Sequence, residues 1–463
     1  MAITESENGT GIDEKRIRER IRKDVRLIFR GRENELSQFI PGKTKVHYGG
    51  RVYDDEEMTA LVDSCIDMWL TLGPYGREFE DSFAKTIGSR SSMLINSGSS
   101  ANLVATAALC SPQLGKNAIK PGDEVITPAA TFPTTFNPII QLGLKPVFVD
   151  VDGSGTYNID ASRLTKRLLS KRTRAMIIPH TLGNPNDMDV LTEFAEKHGL
   201  YLIEDACDAL GSKFGGKMLG SFGEFGTFSF YAAHHITLGE GGAVVSDDEK
   251  LMNIARSIRD WGRACVCPVC KLAVDPEAQC ELRFSKSSAR GSLPEDYDKR
   301  YVYINIGYNL KPLDIQAAMG LAQLRKLPAF LKARERNFRF LYDEVFERYE
   351  DYFVLPKTVG LKAEPSWFAF PLTVKKNPHF ARKDIVKYLE EKLIETRLLF
   401  AGNIIRQPAY ARVKFRKEGP LGNTDTIMHD SFFIGVYPGI EERRLEYVKE
   451  VVDDFMKLKK CTR

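Results

Sequence analysis

The segment FSFYAAHHITLGEGGAVVSDD, residues 228–248, constrains this chain more than any other. An apolar run, GTFSFY, leads to two adjacent histidines, His234 and His235, and a glycine-rich hinge leads into a second apolar run, GAVVSD. Strand ends that open into glycine-rich turns place polar side chains at the carboxyl edge of a sheet, where α/β folds bind ligands. The segment predicts two strands with chemistry in the turn between them, although paired histidines also occur in ordinary surface loops.

Short β-rich runs alternate with helical runs through much of the chain. The predicted strands are 93–96, 124–128, 146–150, 175–180, 201–205, 226–231 and 242–247. The helices predicted between them are 101–110, 133–142, 161–170 and 189–198. Alternation of this kind gives a mostly parallel sheet covered by helices on both faces. We therefore predict an α/β domain built on a seven-stranded sheet.

The length of 463 residues favours a large domain joined to a smaller one. We predict an N-terminal arm and basic helix in residues 1–55. A large α/β domain is predicted over 56–325, with a cysteine-containing insert at 261–300. Residues 326–463 are predicted to form a small C-terminal α+β domain.

Two further segments have a helical pattern. Residues 13–32 are basic and carry apolar residues at spacings of four, four and three, namely Ile17, Ile21, Val25 and Ile28. This spacing predicts a helix that packs one face and exposes its charges, and a nucleic-acid-binding arm is the alternative. Residues 306–324 lead into a long charged helix, predicted to run to about Arg348 and to join the two domains.

The composition excludes several classes of protein. Hydrophobic residues make up 43% and charged residues 28%, which is typical of a globular protein, and no apolar run approaches the roughly 20 residues of a membrane span. The first 15 residues lack the apolar core of a signal peptide, so we expect a cytoplasmic protein. A net charge of +4 indicates little about partners, and we expect no nucleic acid among them.

Four of the eight cysteines fall between Cys265 and Cys280. In a chain expected to be cytosolic, such a group indicates metal ligation before disulfide bonding. Thiolates in short loops bind zinc or iron–sulfur clusters. The spacing does not match a paired Cys-x-x-Cys zinc module.

Several motifs together resemble the DegT/DnrJ/EryC1/StrS sugar aminotransferases, vitamin B6 enzymes of fold type I. They are FSFYAAHHITLGEGGAV, RDWGRACVC, IGYNLKPLDIQAA, PSWFAFP and TRLLFAGN. Within that family, the chain is most similar to the CDP-4-keto-6-deoxy-D-glucose 3-dehydrases of dideoxysugar and lipopolysaccharide O-antigen biosynthesis. The family pattern has Phe-Ser-Phe, three residues, and the lysine that forms a Schiff base with pyridoxal phosphate. His234 occupies that lysine position here.

The histidine changes the chemistry that the resemblance implies. Imidazole forms no stable covalent bond with the cofactor, so we expect pyridoxamine 5′-phosphate or pyridoxal 5′-phosphate to bind noncovalently. An ordinary pKa near 6.5 suits His234 to general acid–base catalysis at neutral pH.

The resemblance also implies the residues that hold the cofactor phosphate. Residues 96–100, Asn-Ser-Gly-Ser-Ser, follow a predicted strand and precede a helix, an arrangement that offers N–H groups and hydroxyls to a phosphate but is also an ordinary helix cap. Matching the family assigns Gly98, Ser99 and Ser229 to the phosphate. Asn309 is implied to reach the phosphate from the other subunit of a homodimer.

Two residues are implied to contact the cofactor ring. Asp205, in Glu-Asp-Ala, matches the aspartate that pairs with the protonated pyridine nitrogen and keeps the ring electron-deficient. Phe132, in AATFPTT, matches the aromatic residue that stacks on the ring, although an aromatic residue at a strand end is often a core residue.

In the resembled 3-dehydrases a [2Fe–2S] cluster supplies electrons. Cys207, Cys265, Cys267 and Cys280 are the implied ligands, with Cys270 as a rival for the fourth position. The chain has no G-x-G-x-x-G nicotinamide motif, so the resemblance implies a separate NAD(P)H-dependent iron–sulfur flavoprotein reductase.

The expected activity is removal of the C3 hydroxyl from a nucleotide-linked 4-keto-6-deoxyhexose. The alternatives are a cluster-free 3-dehydrase that uses glutamate, and an inactive aminotransferase fold with a redox-sensing or binding role. The sequence does not identify the nucleotide, CDP or TDP. Arg397 and Arg406 are compatible with a diphosphate contact or with surface ion pairs.

Overall fold

The computed structural model describes residues 13–36, 38–265, 267, 271–273, 275, 277–285 and 291–461. The helices are α1 (Glu14–Leu36), α2 (Asp55–Asp67), α3 (Pro74–Ile87), α4 (Gly98–Leu109), α5 (Pro133–Gln141), α6 (Met188–His198), α7 (Glu249–Arg259), α8 (Asp314–Arg339), α9 (Arg382–Glu391), α10 (Gly422–Asp430) and α11 (Glu442–Leu458). The strands are β1 (Ser91–Ile95), β2 (Glu124–Pro128), β3 (Lys145–Val149), β4 (Thr173–Pro179), β5 (Tyr201–Asp205), β6 (Lys213–Phe214), β7 (Lys217–Met218), β8 (Phe225–Ser229), β9 (Gly242–Ser246), β10 (Phe353–Val354), β11 (Ala363–Glu364), β12 (Ala369–Val374), β13 (Arg416–Lys417) and β14 (Ser431–Gly435).

The main sheet has the strand order β1-β9-β8-β5-β4-β2-β3-β13. Strands β8, β5, β4, β2, β3 and β13 are parallel to their neighbours in that series, whereas β9 is antiparallel to both β1 and β8. All seven predicted strands are present in it, and the prediction of an α/β fold is confirmed. The eighth strand, β13, has only two residues and no β-rich pattern, so the sequence did not reveal it.

Alternate residues of the central strands pack on opposite faces of the sheet. In β4, Met176 and Ile178 belong to one buried apolar cluster, and Ala175 and Ile177 belong to another. Burial on both faces explains why these strands appear in the sequence as short continuous apolar runs.

One predicted helix is wrong. Residues 161–170 form two short 3₁₀ turns, Ala161–Arg163 and Lys166–Leu168, instead of a single α-helix. The Asp160 carboxylate accepts from the backbone N–H of Ser162, and the Thr165 hydroxyl accepts from that of Arg167. Short polar side chains that cap the backbone locally compete with helix propagation.

A second core is built mainly from the C-terminal part of the chain and a three-stranded sheet, β10-β12-β14. Phe39 and Val46, from the N-terminal arm, also pack in it. Helix α8 connects the cores, because Leu327 packs in the first and Leu341, just beyond the helix, packs in the second. Helical turns continue from α8 to Tyr349, close to the predicted end. The domain boundaries themselves remain predictions.

The basic helix α1 lies against α2 through a series of ion pairs. Arg18 pairs with Asp67 at 2.8 Å, and Arg22 pairs with Asp63 at 3.0 Å. Val25 is buried, whereas Ile28 is 51% exposed, so only part of the predicted apolar face is packed. None of the described helices is both long and apolar enough to cross a membrane.

Candidate active site

A cavity of about 470 Å³ lies where the parallel strands β4, β5 and β8 end. We call it the strand-end cavity. Its lining includes eight residues singled out in the sequence: Gly98, Ser99, Phe132, Asp205, Cys207, Ser229, His234 and Arg397. The carboxyl ends of neighbouring parallel strands meet at one edge of the sheet, which explains why residues more than 130 positions apart meet here.

The N-terminus of α4 forms one wall of this cavity. The Ser97 hydroxyl caps the helix by accepting from the Ser100 backbone N–H at 3.1 Å. Gly98 is packed so closely that a Cβ atom added to it would lie 2.5 Å from Ser229 Cβ and 2.8 Å from Cys207 Sγ. The absence of a side chain at Gly98 therefore leaves uncapped N–H groups and the Ser99 and Ser229 hydroxyls around one space, an arrangement suited to a phosphate.

The Asp205 carboxylate is fixed in the wall at the end of β5. One oxygen accepts from Asn102 Nδ2 at 2.8 Å and from Thr135 Oγ1 at 2.6 Å, and the other accepts from the Cys207 backbone N–H at 3.1 Å. Asn102 is itself held by Thr227, whose hydroxyl donates to its Oδ1 at 2.6 Å. These neutral donors orient the carboxylate without neutralising its charge.

The ring of His234 is oriented by a backbone carbonyl. Its Nδ1 lies 2.9 Å from the oxygen of Cys207. A carbonyl oxygen only accepts, so Nδ1 carries the proton and the neutral ring has its free lone pair on Nε2. Burial, with a smaller contribution from the Arg334 charge, lowers the pKa of His234 to about 3. His234 is therefore neutral at pH 7, with a free lone pair on Nε2. The pKa near 6.5 expected from the sequence is wrong for the cavity without ligand, because burial disfavours the imidazolium.

Asp208 lies beside this base, with Oδ1 at 4.0 Å from His234 Nε2. Burial, together with the nearby charge of Asp205, raises the pKa of Asp208 to about 7. Its carboxyl group thus exchanges its proton near neutral pH, next to the nitrogen that would accept one.

A buried arginine fixes the turn that carries the histidine. Arg334, in α8, is 1% exposed and donates to the carbonyl oxygens of His234 at 3.3 Å and Phe368 at 3.0 Å. The Phe368 ring in turn contacts the His234 ring edge-on, with centroids 5.4 Å apart.

Sequence reasoning did not identify several residues of this site. Asp208, His180, Tyr231 and Phe368 line the cavity, and Arg334 supports it. The position of Asp208, three residues after Asp205, was the available signal. The arginine gave no signal, because nothing in its helical pattern distinguishes a buried cation from a solvated one.

Two residues predicted to contact the cofactor do not lie deep in the strand-end cavity. Phe132 is 48% exposed and packs edge-on against Phe400, with centroids 5.8 Å apart. Asn309 is not among the described residues that line the cavity of its own chain. Its Oδ1 accepts from Lys311 at 2.7 Å, and its predicted contact across a dimer stays a prediction.

The remaining cysteines lie elsewhere. Cys265, Cys267 and Cys280 line a second space of about 480 Å³, which we call the cysteine cavity. The sulfur atoms of Cys265 and Cys267 are 3.8 Å apart. Cys270 lies outside the described residues. Arginine and lysine side chains are frequent in this lining, which contains Arg77, Arg256, Arg259, Arg263, Arg300 and Lys311.

The two implied prosthetic groups fit these residues unequally. The strand-end cavity matches pyridoxamine phosphate, because the glycine cradle, the Asp205 carboxylate and a base face one space. A four-thiol cluster does not fit in the same way, because Cys207 lines the strand-end cavity and the other three line the cysteine cavity. Within the described ranges, no three Cys, His, Asp or Glu side chains are grouped as a metal ion requires.

The sequence profile of the DegT/DnrJ/EryC1/StrS aminotransferase family matches residues 52–453. The chain belongs to this family. The resemblance inferred from the motifs is thereby confirmed.

The chain is similar to several proteins of this family. The chain is 47% identical over 421 residues to the lipopolysaccharide biosynthesis protein RfbH of Salmonella typhimurium, covering 91% of this chain and 94% of that protein. It is 44% identical over 425 residues to the dTDP-4-dehydro-2,6-dideoxy-D-glucose 3-dehydratase of Saccharopolyspora spinosa, covering 92% and 89%. The solved structure of Escherichia coli GDP-4-keto-6-deoxy-D-mannose-3-dehydratase with bound hydrated PLP is similar with a TM-score of 0.75 and 31% identity, covering 88% of this chain and 100% of that one.

Proposed function

We propose that this protein is a pyridoxamine-phosphate-dependent 3-dehydratase of a nucleotide-linked 4-keto-6-deoxyhexose, acting in 3,6-dideoxysugar biosynthesis. The observation that carries the proposal is His234: a neutral base, held by the Cys207 carbonyl, at the position where the family pattern has a lysine. No lysine is among the described residues that line the strand-end cavity. A base without a covalent anchor suits removal of a hydroxyl better than transfer of the amine.

The bound cofactor supplies an amine for the 4-ketone and a ring that accepts electrons. The chain supplies the remaining functions. Gly98, Ser99 and Ser229 bind the phosphate, and Asp205 pairs with the ring nitrogen. His234 Nε2 accepts the proton whose loss precedes departure of the C3 hydroxyl, and ionised Asp208, 4.0 Å away, stabilises the imidazolium that results.

Activity is tested with pyridoxamine phosphate and CDP-4-keto-6-deoxyglucose. We expect the sugar to lose the C3 hydroxyl, detected by mass spectrometry and by NMR at C3. The dTDP- and GDP-linked analogues decide the nucleotide, for which we propose CDP. If none of the three is consumed by protein shown to bind the cofactor, the proposal is wrong and an inactive fold with a binding or redox-sensing role replaces it.

We propose that the chain binds a [2Fe–2S] cluster, which would supply electrons and would be recharged by an NAD(P)H-dependent iron–sulfur flavoprotein reductase. Three cysteines on one cavity, two of them with sulfurs 3.8 Å apart, support a thiolate-ligated centre there. The family pattern also implies Cys207 as a ligand, although Cys207 lines the strand-end cavity and not the cysteine cavity. The preferred fourth ligand in the cysteine cavity is Cys280, with Cys270 as its rival.

The test is the iron and acid-labile sulfide content of protein purified without air. We expect about two irons and two sulfides per chain and a visible band that dithionite bleaches. The band should be lost in Cys265→Ser and kept in Cys110→Ser. Cys110 is a matched control because it is absent from the residues described as lining either cavity.

The position of Cys207 favours one alternative, a cluster-free dehydratase that regenerates its amine from glutamate. Cys207 lines the strand-end cavity, whereas the other three implied ligands among the described residues line the cysteine cavity. If anaerobic protein contains no iron but turns over with glutamate and releases 2-oxoglutarate, this alternative is correct.

We also propose a homodimer in which Asn309 of one chain contacts the cofactor of the other. A mixture of two inactive variants, Asn309→Ala and His234→Gln, tests this. Activity should return on mixing only if the two residues serve one cavity from different chains.

A further inference from the structure

We propose that Arg397 binds the diphosphate of the nucleotide-linked substrate at the mouth of the strand-end cavity. This inference rests on the proposed function, because it names the group that recognises the charged part of that substrate. Arg397 is the one arginine or lysine among the described residues that line this cavity. A substrate that carries two phosphate charges needs a cation, and the cofactor phosphate already has the N-terminus of α4 and two hydroxyls.

The guanidinium is held in place but keeps donors free. It lies over the Tyr48 ring, with its carbon 4.3 Å from the centroid, and it donates to Glu395 Oε1 at 2.5 Å and to the Thr396 carbonyl at 2.9 Å. Within the described part of the chain these are its two acceptors through side-chain N–H groups, so three of its five N–H groups are available to an anion. A planar donor set with a fixed orientation suits the oxygens of a phosphate.

The surroundings of Arg397 have surplus positive charge. Glu395 is the shared partner of three side chains: Arg397, Lys45 at 3.5 Å and His47 at 3.2 Å. One carboxylate therefore faces two permanent cations and a histidine, and at least one positive charge is left over. Lys45 and His47 precede residues 52–453, the span that matches the family, so the N-terminal arm supplies these two partners of Glu395.

Arg406 provides a matched control nine residues further along the chain. Its Nε and Nη2 each donate to an oxygen of Asp425 at 2.6 Å, so one carboxylate neutralises it with bidentate geometry. It is not among the described residues that line the strand-end cavity. The sequence does not distinguish the two arginines, but the structure does: Arg397 lines the strand-end cavity and shares its carboxylate with Lys45 and His47, whereas Arg406 lies outside that lining and has Asp425 to itself as a bidentate partner.

The experiment is calorimetric titration of CDP, CMP and cytidine into the cofactor-loaded protein and its Arg397→Gln, Arg397→Lys and Arg406→Gln variants. We expect Arg397→Gln to weaken CDP binding by about 10- to 100-fold, as loss of a charge-assisted hydrogen bond does, with partial retention in Arg397→Lys. Arg406→Gln should bind CDP as the unmodified chain does. Cytidine should bind weakly and be unaffected by any of the three substitutions.

Cofactor absorbance and the thermal unfolding temperature are measured for each variant as controls for correct folding. We expect both to be unchanged. Wild-type affinity for CDP in Arg397→Gln would overturn the inference, as would a failure of CDP, dTDP and GDP alike to bind the wild-type chain. If the variant binds CDP normally but loses glutamate-dependent turnover, Arg397 binds the glutamate carboxylate and the inference is also overturned.

Failure of the proposed function would look different. CDP binding that depends on Arg397, with no dehydration of any nucleotide sugar, would support the arginine site and reject the dehydratase. Dehydration of a nucleotide sugar with a KM unchanged by Arg397→Gln would support the dehydratase and reject the arginine site.

Discussion

The strand-end cavity and the cysteine cavity have nearly the same volume, about 470 and 480 Å³, but are built differently. The first is formed by strand ends and helix N-termini whose positions are fixed by the buried sheet, so its glycine, aspartate and histidine are constrained by packing. The second draws its cysteines from loop segments between α7 and α8. A site on a buried scaffold is specified by fold and motif together, whereas a site on loops depends on spacing alone.

Replacement of the base should have the largest effect. His234→Gln keeps a polar side chain but cannot accept a proton at neutral pH, and we expect turnover to fall by about 10²- to 10⁴-fold with cofactor binding retained. His235→Gln is the matched control. Its Nε2 contacts the Ser366 carbonyl at 3.0 Å, a hydrogen bond that glutamine can also donate, so activity should change little. Equal losses in both variants would show that the pair has a structural role only.

Adding one methyl group at the glycine cradle should have the next largest effect. Gly98→Ala would place Cβ 2.5 Å from Ser229 Cβ, and we expect unfolding free energy to fall by about 1–3 kcal/mol, with weaker cofactor binding. Gly422→Ala is the control, because Gly422 also begins a helix but has nothing within 4 Å of an added Cβ. Denaturant titration measures both. If Gly98→Ala is as stable as the control, the close packing does not constrain the site.

Asp208 should set the pH dependence near neutrality. Because its pKa is raised to about 7, we expect kcat/KM to rise about tenfold or less as pH passes through 7 and the carboxylate forms. Asp208→Asn should abolish this rise in kcat/KM.

The stability of the protein should also depend on Asp208. In the folded chain this carboxyl keeps its proton between pH 3.8, the ordinary pKa, and about pH 7, so its contribution to stability decreases as pH rises through that window. The slope of unfolding free energy against pH should therefore change in the variant, and an unchanged slope would contradict the assignment.

The smallest effect is expected in the cysteine cavity. In metal-free protein, Cys280→Ser should change the unfolding free energy by less than about 0.5 kcal/mol, because Cys280 is a half-buried loop residue outside the apolar cores. Cys207→Ser changes a side chain that packs closely against Gly98 in the wall of the strand-end cavity and should cost about 1–3 kcal/mol. Chemical denaturation of both variants checks the difference. Equal effects would mean that the cysteine loops are as constrained as the sheet edge.

The same contrast explains how much the sequence predicted. The seven main strands were predictable because each is a short apolar run between turn residues, and Asp205 and His234 were found because motifs fix them at strand ends. The structure of residues 161–170 was not predictable, because side-chain caps interrupt a helical pattern there. Asp208 and Arg334 were missed because their importance comes from burial, which only the folded chain defines. The cysteine spacing suggested one centre, but the fold separates Cys207 from the rest.

Arg334 has a consequence for exchanging parts between relatives. It lies in α8, between the two cores, and its guanidinium joins the turn carrying His234 to the segment carrying Phe368. A chimaera with a breakpoint near residue 326 would combine an arginine from one parent with a histidine turn from the other. If the incoming part lacked the arginine, two carbonyls would be left without their donor in the interior. The C-terminal third is therefore not a freely interchangeable module, and a successful transplant must carry Arg334 and its Phe368 contact together.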